Sequence, residues 1–141
     1  MDKSVTIVGQ GYVGLPLAQA AARAGWKVWG LDTSSKTVEA LNEGRSHVDD
    51  LSDEEIKEMI GKGYEATTDP TCISNSQYIV VCVPTPLGEA GSPDLRAVEA
   101  ATTTVGRHIQ RGATYILEST TYPGTTDNVC VPLLAVSYTH L

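Results

Sequence analysis

Along the chain, short runs that are apolar at nearly every position alternate with longer stretches whose apolar residues return every three or four positions. The first kind predicts strands buried on both faces, the second predicts helices with one covered side. "SVTIVG" predicts the first strand, and "YVGLPLAQAAARAG" a helix with a small-residue face, closed by Gly25. "KVWGLD" is a second strand and "SSKTVEALNEG" a second helix ending at Gly44, followed by the loop "RSHVDDL". "SDEEIKEMIGKG" opens on a capping box, with Ser52 as N-cap and Glu55 three residues on. A short strand near "YEATTD" and a helical turn near "PTCISNS" lead into "YIVVCVP", the clearest strand of all. After the loop "TPLGEAGSP" come the helix "DLRAVEAATTTVGRHI" with Asp94 as N-cap, the strand "ATYILEST", and a last helix beginning in "TTDNVCVPLL". Pro16 stands against this pattern. Placed about one turn inside the first helix, it removes the bond to the Tyr12 carbonyl and loosens that turn.

Strands that alternate with helices, each strand a near-continuous apolar run, predict an α/β fold: a Rossmann-like, doubly wound parallel sheet of about five strands. No internal repeat or low-complexity segment interrupts the rhythm. The length of 141 residues suits one domain with a real core, and with 6% aromatic residues and no Phe that core is aliphatic.

Three glycines, Gly9, Gly11 and Gly14, stand where the first strand gives way to the first helix. A lone GxGxxG means little, but this one follows a strand, opens a helix, and precedes a second strand that ends in Asp32, about 20 residues on. Gly9 then makes the tight turn, Gly11 admits a pyrophosphate to the backbone, and Gly14 lets helix and strand pack closely. Asp32 accepts hydrogen bonds from both hydroxyls of an adenosine ribose and repels a 2′-phosphate, which selects NAD over NADP. An FAD or S-adenosylmethionine site uses a similar fingerprint, and a glycine-rich turn beside an acid that merely ends a strand is the plain alternative. Two further motifs end strands where the nicotinamide would lie: "VCVPTPL" and "LESTTYPGTTD". On their own they also read as ordinary turn chemistry.

Charge and cysteine usage narrow the partners. A net charge of −7 leaves no basic face for a nucleic acid. No apolar run reaches the roughly 18 residues of a membrane span, and the chain enters a strand at once, without a leader. Cys72, Cys82 and Cys130 are odd in number and form no CxxC pair, which suits a reducing, cytoplasmic protein with structural thiols. His47, His108 and His140 read as solvated or structural, and the acidic "DLSDEEIKE" as a solvated helix start; no metal site is expected.

The motifs "GQGYVGLPLA", "VCVPTPL" and "ESTTYPGTTD", in that order, make the chain resemble the UDP-glucose/GDP-mannose dehydrogenases, the nucleotide-sugar 6-dehydrogenases. The resemblance runs from Val5 to Leu134, and "ALNEGRSHVDDLSDEEI" with "LESTTYPGTT" is most similar to the branch acting on UDP-N-acetylglucosamine or its C2 epimer. It implies oxidation of the C6 alcohol of a UDP-sugar to a carboxylate with two successive NAD⁺, for surface polysaccharide synthesis. It also implies roles: backbone N–H groups of Tyr12 and Val13 on the pyrophosphate, Asp32 on the ribose, and Thr85 on the cofactor. Thr120 would stand beside the nicotinamide and a water at the reacting carbon, and Glu118 near the nicotinamide, as an acid/base or to orient its amide. The family's basic residue five positions after the ribose acid is Thr37 here; Lys36, one residue earlier, takes its place.

The family's nucleophilic Cys and its Lys come from a later part of the chain, and none of the three cysteines here matches that motif. The expectation is therefore an NAD-binding domain over residues 1–134, a tail outside the resemblance over 135–141, and a substrate domain beyond the chain. Such a half is expected to be inactive alone and to be marginally stable or self-associating, and the full-length protein to be a homo-oligomer. A UDP-glucose or GDP-mannose enzyme, another β-hydroxyacid-type dehydrogenase, and a non-catalytic NAD-binding module remain the alternatives.

Overall fold

A computed structural model of the chain describes residues 3–84, 91 and 94–118. The loop residue Thr85, the sites at Thr120 and Cys130, His140, and the predicted last helix lie outside the described residues.

Five parallel strands form one sheet in the order β3-β2-β1-β4-β5. They are β1 (Ser4–Val8), β2 (Lys27–Leu31), β3 (Tyr64–Thr67), β4 (Tyr78–Val81) and β5 (Thr114–Leu117). Because side chains alternate across a strand, each strand feeds two cores. Val5, Ile7, Val28, Tyr64, Ala66, Val80 and Cys82 point to one face. Val8, Leu31, Ile79 and Val81 point to the other. The first face is covered by α1 (Gly14–Arg23), α2 (Ser35–Asn42) and α3 (Asp53–Gly61). The second is covered by a 3-10 helix, Pro70–Asn75, and by α4 (Arg96–His108). That two-sided cover is the reason β1 is buried at every position. The doubly wound α/β fold read from the sequence is the fold observed.

The helix ends show where local chemistry was legible. Ser52 caps α3 with a reciprocal box: its hydroxyl accepts from Glu55 N and its own N–H donates to Glu55 Oε1. The buried stripe of α1 is Gly14, Leu15, Ala18 and Ala22, small enough to bring the helix axis close to the sheet.

Two expectations need correction. Asp94 is not the N-cap of α4; Leu95 holds that position without a side-chain cap, while Asp94 Oδ1 accepts from Arg96 N one residue further along. The first helix starts at Gly14 rather than Tyr12. Leu15 N still donates to Gly11 O and Leu17 N to Val13 O, but Pro16 has no hydrogen for the Tyr12 carbonyl between them. Pro16 therefore lies in the first turn of the true helix, where its missing N–H disturbs nothing. It defines the start of α1 rather than loosening its interior.

Candidate functional site

Strand order reverses between β1 and β4, since the chain leaves β1 toward β2 and β3 and returns to β4 on the other side. The carboxyl ends of those two strands are where an open parallel sheet forms a crevice. A cleft of ≈ 530 Å³ opens there, lined by Gly9, Asp32, Thr33 and Pro84 and, across from them, by Ala97 and Ala101 of α4.

The glycine loop follows β1 into this cleft, and its three glycines sit in different surroundings. Gly9 has φ +95°, and a Cβ there would stand 2.7 Å from Cys82 O at the end of β4. The turn and the neighbouring strand both require glycine. At Gly14 a Cβ would stand 1.8 Å from Gly9 O, so the helix can start this close to the strand only without one. At Gly11 nothing lies within 4 Å of the Cβ position. That backbone faces open space. Tyr12 and Val13, next along, are exposed, and among the described residues their N–H groups make no backbone hydrogen bond. They are free donors at a helix N-terminus, where an anion is favoured.

Asp32, partly buried at the end of β2, is tied to the same loop. Its Oδ2 accepts from Gln10 N at 2.9 Å and its Oδ1 from Ser34 N at 3.0 Å. One lone pair on each oxygen is thereby used, and the carboxylate is held with the rest of its acceptor capacity toward the cleft. Lys36 is exposed in the first turn of α2, past the Ser34 cap. Glu118 is exposed at the end of β5, its N–H donating to Val81 O, across the switch point from Asp32. Gly9 and Asp32 thus line one cleft, and Gly11, Tyr12, Val13 and Gly14 follow Gly9 along the chain, while Lys36 lies on α2 and Glu118 at the end of β5.

The cysteines among the described residues are both buried. Burial pushes the Cys72 thiol up, and pushes the Cys82 thiol up to about 11, where the charge of Glu118 adds to the effect. A nucleophilic thiol needs the opposite environment. Among the described residues no three His, Cys, Asp or Glu side chains gather to hold a metal ion, and no helix is long and apolar enough to cross a membrane.

Sequence reasoning missed a second layer beneath the loop. Gln10 is fully buried and every polar group it has is engaged. Its Nε2 donates to Ile7 O at 2.9 Å and Gly9 O at 3.2 Å, and its Oε1 accepts from the Tyr64 hydroxyl at 2.6 Å. The Gln10 carbonyl accepts from His47 Nε2 at 2.6 Å, so the loop histidine read as solvated or structural contacts the glycine loop itself. Burial, with the charge of Asp32 adding, pushes the Tyr64 phenol far up and keeps it a donor. The one signal in the sequence was Gly30, a lone glycine inside a strand, which marks a close approach.

A family model described as the UDP-glucose/GDP-mannose dehydrogenase family, NAD binding domain, matches residues 3–140. A UDP-N-acetyl-D-mannosamine dehydrogenase of Pyrococcus horikoshii is 36% identical over 127 residues, covering 89% of this chain and 30% of the relative. A UDP-N-acetyl-D-glucosamine 6-dehydrogenase of Salmonella typhi is 35% identical over 134 residues, covering 95% of this chain and 31% of the relative. Among solved structures, a ternary complex of GDP-mannose dehydrogenase from Pseudomonas aeruginosa superposes with a TM-score of 0.90 at 29% identity. That superposition covers 99% of this chain and 33% of the other. The chain spans about a third of the length of the proteins it matches.

Proposed function

This chain belongs to the UDP-glucose/GDP-mannose dehydrogenase family as its NAD-binding domain, and from that premise we propose that it is the cofactor half of a UDP-N-acetylhexosamine 6-dehydrogenase. The observation that carries the cofactor side of this reading is the junction of β1 and β2. Gly9 and the Asp32 carboxylate line one cleft, and the loop continues from Gly9 into an open backbone at Gly11 and unengaged N–H groups at Tyr12 and Val13. Those groups fit a dinucleotide: donors for a pyrophosphate, and an acceptor for the two hydroxyls of an adenosine ribose.

NAD, when bound, supplies the acceptor for a hydride leaving the C6 carbon of the sugar. The chain's residues do the holding. Tyr12 and Val13 donate to the pyrophosphate, Asp32 accepts from the ribose and repels a 2′-phosphate, and Lys36 stands on the adenosine side. Thr85 contacts the cofactor. Glu118 orients the carboxamide at the nicotinamide end, and Thr120 polarises a water or the developing alkoxide beside it. The full reaction takes the alcohol to a carboxylate with two NAD⁺ and serves surface polysaccharide synthesis in the cytoplasm. It needs a thiolate that neither Cys72 nor Cys82 supplies, because both are buried and burial holds both thiols protonated. The substrate is bound with a further domain of a homo-oligomeric protein, and this chain alone does not turn over. The relatives acting on UDP-N-acetylated hexosamines support that branch over UDP-glucose or GDP-mannose.

Titration calorimetry of the chain with NAD⁺ and NADP⁺ tests the cofactor assignment. NAD⁺ is expected to bind at least about tenfold more tightly, and Asp32→Asn to lose most of that margin through the lost charge. Equal binding of both nucleotides by the wild type would remove Asp32 from the role given to it.

A further inference from the structure

Gln10 sits between the first two glycines of the loop yet faces away from the cleft. Its side chain enters the core, where a polar group without partners is costly. All of its groups have partners, and those partners lie on different elements. The amide hydrogens bind the last turn of the strand and the loop, at Ile7 O and Gly9 O. The amide oxygen takes the hydroxyl of Tyr64, 54 residues on, at the start of β3. The backbone N–H holds Asp32 Oδ2, and the backbone carbonyl holds His47. Gly30 of β2 makes the arrangement possible: a Cβ there would stand 2.5 Å from both Gln10 Oε1 and the Tyr64 oxygen. Three residues from three parts of the chain are therefore matched to one contact.

We propose that Gln10 is a positioning residue for the dinucleotide: clasped by Tyr64 over Gly30 and by His47 from the 45–51 loop, it fixes the glycine loop and the Asp32 carboxylate relative to each other. The inference rests on the NAD reading above. A loop of three glycines loses much conformational freedom on binding a ligand, and a loop already held loses less. The same residue sets the Asp32 carboxylate through a backbone N–H, so loosening Gln10 loosens the group that tells NAD from NADP. Plain core filling by Gln10 predicts lost stability alone; positioning predicts lost nucleotide discrimination as well.

The test titrates NAD⁺ and NADP⁺ into the wild type, Tyr64→Phe, Gln10→Leu and His47→Ala, with urea midpoints measured alongside. Ile79→Val, in the core on the other face of the sheet, serves as a variant that loses stability away from the network. Tyr64→Phe and Gln10→Leu are expected to weaken NAD⁺ about tenfold and to narrow the NAD⁺/NADP⁺ ratio. His47→Ala removes an exposed side chain whose place at the Gln10 carbonyl water can take, lowers the midpoint only slightly, and weakens NAD⁺ about threefold, so the inference stays testable if a buried variant fails to fold. Ile79→Val lowers the midpoint with affinity and ratio intact. Wild-type affinity and ratio in Tyr64→Phe and His47→Ala would overturn the inference while leaving the cofactor reading standing. A wild type that binds neither nucleotide would overturn both.

Discussion

One methyl group separates Gly11 from Gly14. At Gly14 the methyl of alanine would collide with Gly9 O at 1.8 Å, backbone against backbone, with no flexible side chain to move aside. At Gly11 the same methyl meets nothing of the protein. Gly14→Ala should therefore cost about 3 kcal/mol of stability, the upper range for overpacking. Gly11→Ala should leave the urea midpoint where it is and, on the proposed placing of the pyrophosphate over Gly11, weaken NAD⁺ binding. Urea denaturation and NAD⁺ titration of both variants separate the two effects. A destabilised Gly11→Ala with normal affinity would refute the open-backbone reading. At this scale part of the picture was readable in the sequence: the spacing of the glycines and the acid pointed to Gly9 and Asp32, which line one cleft. Gln10 and Tyr64 were not readable, because a contact between residues 54 apart leaves no period in either segment.

Elements were legible where their ends carry their own chemistry. The box at Ser52 and Glu55 is a local pattern, and it forms as the spacing predicts. It satisfies N–H groups that the start of α3 would otherwise leave bare. Ser52→Ala should cost about 1 kcal/mol in chemical denaturation with the m-value unchanged. NAD⁺ affinity should stay at the wild-type value, because α3 covers the first face of the sheet away from the cleft. No loss of stability would show that the buried Ile56 and Met59 alone fix the helix. Element starts without a reciprocal cap were placed less well. Pro16 moved the start of α1 to Gly14, and Asp94 lost the N-cap of α4 to Leu95 by one residue. In both cases one backbone hydrogen bond, present or missing, decides the boundary, and apolar periodicity does not register it.

On the scale of the whole molecule, continuous apolar strands foretold helices on both faces, and that double cover is what buries the thiols. Cys82 packs into the core on the α1 side and Cys72 into the core on the α4 side. Burial raises both, Cys82 to about 11, and raises Tyr64 still further with the charge of Asp32 adding to it. The sign follows from proton counting. In the unfolded chain a cysteine loses its proton near pH 8.5 or so, whereas in the folded chain these thiols keep theirs. Between those values the unfolded state binds fewer protons, so stability falls as pH rises. The contribution is complete below about pH 8.5 and is lost progressively toward about pH 11, the Cys82 value. Urea midpoints at about pH 7 and about pH 10 should show that decline, and a Cys72→Ala/Cys82→Ala double variant should decline less steeply. Equal slopes would mean the thiols do not titrate late in the fold.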